Sequence, residues 1–177
     1  MDRITKSLLD GFVQDHNLLL PEETAFEHFC GFLVTSKHHS ESFSTEDVAV
    51  GEGGDCGMDC ITIIVNGCLV TEPEEIADLS ETNGYLEAVL VFTQAERSSS
   101  FEAAKIGQFG YGVVDFLSET PNLPQNTAVA EKCRVVNELF RMSGRFSRGN
   151  PQCHLYYVTT GRWTDDDNLV ARRDSVA

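Results

Sequence analysis

From Tyr85 to Thr93 the chain reads Tyr-Leu-Glu-Ala-Val-Leu-Val-Phe-Thr, apolar at every position but Glu87 until the closing threonine. Side chains of a strand point alternately to its two faces. A strand apolar on both faces must therefore be covered on both sides, as in sheets sandwiched between helices. This run is predicted to be a central strand, and it demands helical layers elsewhere in the chain. An open sheet with one wet face is excluded for it.

A second strand and its turn are equally explicit. Ile61–Val65 is followed by Asn66-Gly67 and a return strand, Cys68–Thr71. Asn-Gly between apolar runs suits a type I′ hairpin, which requires positive φ at both central residues. Ahead of it lies Gly53-Gly54-Asp55-Cys56-Gly57-Met58-Asp59. Asp55, among glycines, reads as a turn former. Asp59 leads into a run of Ile, Thr and Val, where a carboxylate is unfavourable unless it is paired or binds a metal.

The helices follow from periodicity. Residues 1–16 carry Ile4, Leu8, Leu9, Phe12 and Val13 at helical spacing. A second helix starts at Pro21-Glu22-Glu23, whose acids suit the N-terminal dipole, and runs to about Ser36 with Phe26, Phe29, Phe32 and Leu33 on its apolar side. Glu27 lies beside that face and by spacing alone reads as a solvated acid. His38-His39 is expected in an exposed loop, and Val48–Val50 as a short strand. Glu72–Leu79 is a short acidic helix closed by Asn83-Gly84. Ser98-Ser99-Ser100 offers a cap for a helix over Phe101–Leu117, with Phe101, Ala104, Phe109, Val113 and Phe116 inward. Gly107, Gly110 and Gly112 each weaken that helix by ~1 kcal/mol, which implies close packing or a break. Ala128–Met142 is helical, Cys153–Thr160 is a buried strand with Tyr156 and Tyr157 on opposite faces, and Thr164–Asp167 opens a last helix.

The chain holds 28 acids against 13 bases, a net charge of −15. Such a surface repels nucleic acid on average, so a polyanion must be met locally. Lys132, Arg134, Arg141, Arg145 and Arg148 form a basic concentration. They read either as a solvated helix face or as a phosphate-contacting patch carried by Arg141, Arg145 and Arg148. The six cysteines read as reduced thiols of a cytoplasmic protein. Cys56 and Cys60 have metal-pair spacing, but no second pair completes four ligands. No apolar run approaches the ~20 residues of a membrane span. The 177 residues form one domain without repeat or linker, ending abruptly enough to suggest the N-terminal part of a longer protein.

Several stretches together resemble the N-terminal region of the abortive-infection phage-resistance (AIPR) proteins, over most of the chain from about Phe26 onward. They are Gly57–Asp59 with Ile61–Gly67, Val91–Ala95, Ser98–Phe101, Ile106–Val113, Gly149–Pro151, and Leu155–Gly161 with Trp163. The resemblance implies an α/β fold of restriction-endonuclease-like type, a mixed central sheet flanked by helices, in the Gln-x-Lys form of the PD-(D/E)xK superfamily. It implies metal-dependent phosphodiester hydrolysis in phage defence, with Mg2+ (or Mn2+) as cofactor and DNA or RNA as partner. By position, Asp59 is the metal-binding acid, Gln94 stands in the second acid's place, and Glu27 matches the supporting acid on the helix before the sheet. A homodimer is compatible with it.

The chain departs from that pattern at one point. The lysine position holds Glu96, followed by Arg97, which alternation sends to the opposite face. Glu96 could be a further ligand but supplies no positive charge. Members of the family tend to carry an acid near position 105, where this chain has Lys105, so the two charges look exchanged. Two readings follow. One is a nuclease with Asp59, Gln94, Glu96 and Lys105 in its catalytic set. The other is a catalytically degenerate module that binds nucleic acid or a protein.

Overall fold

The structure is a computed structural model describing residues 1–51 and 53–177. Its elements in chain order are helices α1 (Arg3–Asp15) and α2 (Glu22–Thr35) and strands β1 (Cys60–Val65) and β2 (Cys68–Leu69). Helix α3 (Pro73–Asn83), strand β3 (Ala88–Glu96) and helices α4 (Ala103–Phe116) and α5 (Thr127–Arg141) follow, then β4 (Gln152–Thr159) and α6 (Asp167–Val176). The strands form one mixed sheet in the order β2-β1-β3-β4. β1 is antiparallel to β3, from Cys60 opposite Thr93 to Val65 opposite Ala88. β3 is parallel to β4, from Val89 beside Gln152 to Glu96 beside Thr159. Helices α4 and α5 make the crossover that parallel neighbours require.

Both faces of β1 and β3 are covered, whereas β4, expected to be buried, is a partly exposed edge strand because only β3 pairs with it. Every residue of β1 is buried. Ile61, Ile63, Leu90 and Phe92 pack with Phe109 and Phe116 of α4 and Val136 and Leu139 of α5. On the other face lies α2, where Thr35 and Thr62 exchange a hydroxyl hydrogen bond at 2.8 Å. Helix α1 closes over α2 through Leu9, Phe12, Phe26 and Phe29. The hairpin forms as its residues dictate, with φ of 52° at Asn66 and 86° at Gly67. Tyr156 and Tyr157 do divide between faces: Tyr156 meets His38 and Tyr157 meets Phe101 and Phe109. No helix among the described residues is long and apolar enough to cross a membrane.

Several boundaries differ from the sequence expectation. β3 begins at Ala88, not Tyr85, because the Asn66 side chain takes the Tyr85 carbonyl and the Glu87 N–H, at 3.0 and 2.8 Å. At its far end β3 continues through Gln94 to Glu96, since β4 pairs with it there. The return strand stops at Leu69, and the Glu75 carboxylate accepts the N–H groups of Thr71 and Glu72 at 2.8 Å each. Helix α3 runs past Leu79 to Asn83. Val48–Val50 reduces to a single bridge between Ala49 and Cys60.

Helix α4 starts at Ala103 without a side-chain cap, so the serines do not cap it. Instead the Ser98 carbonyl accepts the hydroxyls of Thr159 and Thr160, at 2.8 Å each. Leu33 and Ala104 are exposed rather than inward. His39 is buried, with Nδ1 at 3.0 Å from the Gly67 carbonyl, rather than exposed. The glycines of α4 serve packing: a Cβ on Gly110 would strike Val176 of α6, and one on Gly112 would strike the Cys56 carbonyl.

Two substitutions test this packing. Gly112→Ala should destabilise the protein by roughly 1–3 kcal/mol, as overpacking does. Gly11→Ala in α1, where a Cβ meets nothing within 4 Å, should stabilise it by roughly 0.5–1 kcal/mol. Urea denaturation measures both, and a neutral Gly112→Ala would contradict the close approach.

Candidate functional site

Asp59 stands just before β1 and opposite Gln94, at the sheet end where β3 finishes. Its own N–H donates to the Thr93 carbonyl at 2.9 Å. Its carboxylate Oδ2 accepts the Ala95 N–H at 2.6 Å. Backbone on both sides of Gln94 thus fixes the acid, which is only 6% exposed. Burial, opposed in part by the Ala95 hydrogen bond, pushes its pKa up to about 7, and the charges of Glu27, Asp55 and Glu96 add to the rise. No ion pair neutralises it or Glu27 among the described residues.

Glu27 reaches the same spot from α2. A Cβ placed on Gly51 would lie 3.1 Å from Glu27 Oε2 and 3.9 Å from Asp59 Oδ1. The absence of a side chain at 51 therefore leaves room where the two carboxylates converge. Glu27 is half-buried, and its pKa rises through burial first and then through Glu23, Asp55 and Glu96. Around them opens a cavity of about 540 Å3, whose wall includes Glu23, His28, Glu46 and Asp55. Asp55 does form the turn expected of it, accepting the Gly57 N–H at 2.8 Å. The cavity wall is held by Asn126, which caps α5 and donates to the carbonyls of Val50 and Gly53 at 2.8 and 3.2 Å.

Gln94, Glu96 and Arg97 border a smaller cleft of about 190 Å3 together with Glu23 and Glu27. Gln94 Oε1 is buried with no hydrogen-bond partner. Glu96 and Arg97 part to opposite faces, as alternation requires: Glu96 Oε2 meets Lys105 Nζ of α4 at 2.8 Å, and Arg97 meets Glu22 of α2 at 2.6 Å. Lys105 also lies 3.8 Å from Glu102. Its ammonium pKa is raised chiefly by the Glu96 hydrogen bond.

Asp59, Glu27, Gln94, Glu96 and Lys105 are thus gathered at one sheet end. The basic group is elsewhere. Arg148 pairs with Glu87 at 2.9 Å, at the opposite end of β3. The length of β1 separates the two ends by about 20 Å at ~3.3 Å per residue. Arg141 is held by Glu138 at 2.6 Å, and the Arg145 carbonyl accepts the Leu86 N–H at 2.8 Å. Lys132 is no surface base: it is buried and donates to the Asp47 carbonyl at 2.6 Å. Cys60 faces the Glu27 carbonyl while Cys56 faces that of Pro124. Among the described residues no group of three His, Cys, Asp or Glu is placed to hold a metal by itself.

The sequence reading missed Glu23, Gly51 and Asn126. Glu23 lies one turn before Glu27 on the same helix, a signal that was available. Gly51 and Asn126 carry no local signal, because their part is set by approach of distant segments.

Comparison with protein-family models, curated proteins and solved structures gave no match.

The Asp59 environment makes a signed pH prediction. The folded chain holds this proton up to about 7, against an ordinary 3.8. The stability so contributed is complete below the ordinary value and is lost as pH rises through the folded one. Each pH unit over which the states differ by one proton is worth about 1.4 kcal/mol. Asp59→Asn should therefore gain stability on the parent protein between about pH 5 and about pH 8. Urea denaturation at both values measures this, and parallel pH profiles would refute the buried, unneutralised acid.

Proposed function

We propose that this sheet end is the divalent-cation site of a restriction-endonuclease-like domain that hydrolyses phosphodiester bonds in phage defence. The observation that carries the reading is the convergence of Glu27 and Asp59 around Gly51, a half-buried and a buried carboxylate without a counter-ion among the described residues. Burying such a pair is unfavourable unless a cation joins it. The unpartnered Gln94 Oε1 adds a neutral oxygen donor at the same edge.

This donor set fits magnesium or manganese. Both take hard oxygen ligands, and magnesium is commonly held by one or two carboxylates with water filling the remaining positions. Asp59 and Glu27 would hold the ion, with Gln94 beside them. When bound, it would polarise a phosphoryl oxygen and acidify water. The Ala95 N–H keeps Asp59 oriented for this task. Lys105 would supply the positive charge that Glu96 lacks, since its ammonium lies 2.8 Å from the Glu96 carboxylate. There it would balance the charge that develops on the phosphoryl group. The acidic cavity weakens polyanion binding when the cation is absent, which makes cation and substrate binding cooperative.

A second reading is favoured by a specific observation. Lys105 is already tied to Glu96 and Glu102, which suits a degenerate site kept for binding nucleic acid or a protein.

The test is cleavage of circular single-stranded DNA, plasmid DNA and RNA with magnesium or manganese. Asp59→Ala should abolish cleavage, and Lys105→Ala should slow it by roughly 100-fold. An Asp59→Ala protein that cleaves like its parent would defeat the metal site. An unchanged rate in Lys105→Ala would remove that lysine from the chemistry. Cation binding without turnover on any substrate would favour the second reading.

A further inference from the structure

On the α4 side of the same sheet end lies a separate pocket of about 240 Å3 that the metal site does not use. Its walls include Phe101, Phe109, Tyr157, Trp163 and Arg173. Phe101 meets Trp163 edge-on at 5.1 Å, and the Arg173 guanidinium lies 5.8 Å from the Trp163 ring. Aromatic rings beside an arginine suit a planar, polar ring joined to an anion.

The pocket adjoins the candidate site across β3 and β4. Tyr157 is the register partner of Gln94, on the same face of the sheet. Tyr157 Oη, like Gln94 Oε1, is buried without a hydrogen-bond partner. Ile106 of the wall directly follows Lys105. A bridge between Ser100 and Arg162 fixes the segment that delivers Trp163. Arg172 packs on Gly107 of α4, Arg173 pairs with Asp174 at 2.7 Å, and Trp163 Nε1 donates to Asp165 at 3.0 Å.

We infer that this pocket receives one unstacked base of a single-stranded nucleic acid whose backbone runs along the Gln94–Glu96–Lys105 edge. The inference rests on the proposed nuclease reading and narrows its substrate class. Aromatic stacking accepts any base, because every base has a π-face, and arginine at the rim meets the adjoining phosphate. The Tyr157 hydroxyl offers the wall's hydrogen bond to the base edge. A base held in a duplex stack cannot enter, so double-stranded nucleic acid is disfavoured.

Trp163 is the chain's single tryptophan, so its emission reports this pocket alone. The experiment is fluorescence titration with an oligothymidylate of about 10 residues in metal-free buffer, within the span of a stacking groove. Saturable quenching is expected, with Phe101→Ala weakening binding roughly 10-fold, the size of one lost stacking contact. Tyr157→Phe, which keeps the ring and so guards against mere misfolding, should weaken it several-fold with an unchanged melting temperature. A blunt duplex of the same length should leave the emission unaltered. Absent quenching, quenching that both variants leave untouched, or an equal response to duplex would each overturn the inference. Asp59→Ala should still quench. Quenching in a parent protein that cleaves no substrate would refute the catalytic reading alone, and cleavage without quenching would refute this one alone.

Discussion

The hydrogen bond from the Ala95 N–H to the Asp59 carboxylate, 2.6 Å long, ties the approach to β1 to the end of β3. It sits on the axis of the fold, since β1 and β3 are the two central strands, with α2 on one face and α4 and α5 on the other. Through it an acid is held where neither strand nor core would accept one by preference. The neighbouring N–H of Asp59 itself completes the ladder to Thr93. The pair of contacts leaves one carboxylate oxygen turned toward Gly51 and Glu27.

That arrangement concentrates negative charge in a low-dielectric corner, where like charges repel several-fold more strongly than in water. One compensation is visible: the Asp59 carboxyl is pushed toward its neutral form, while the cations nearby are spent on other acids, Lys105 on Glu96 and Arg97 on Glu22. Salt bridges at such partly exposed positions contribute little stability. They do fix where each positive charge sits, and they place the ammonium of Lys105 on the α4 face and the guanidinium of Arg97 on the α2 face. The proposed cation site lies between.

Much of this architecture was legible from local chemistry. Asn66-Gly67 specified the turn, the doubly apolar run specified a covered central strand, and alternation separated Glu96 from Arg97. The anomaly of an acid before Ile61 pointed at Asp59 without any structure. What local pattern missed was set by distant contacts. His39 is buried because the hairpin carbonyl at Gly67 offers it a partner. Lys132 is buried because the Asp47 carbonyl reaches it. The α4 glycines looked equally like packing sites or a break until α6 and the Cys56 carbonyl supplied the neighbours. By spacing Glu27 read as a solvated acid, and the approach of residue 51 and Asp59 sets it apart from one. The basic group around Arg141, Arg145 and Arg148 was legible as sequence, but its place at the other end of the sheet was not.

The central claim is that Glu27 and Asp59 share a cation. Anomalous diffraction from crystals grown with manganese tests it most directly. The account predicts one manganese peak beside Gly51, bonded to both carboxylates, and its loss in Asp59→Asn. A protein that binds manganese elsewhere, or crystals in which the two carboxylates remain without a peak between them, would contradict it.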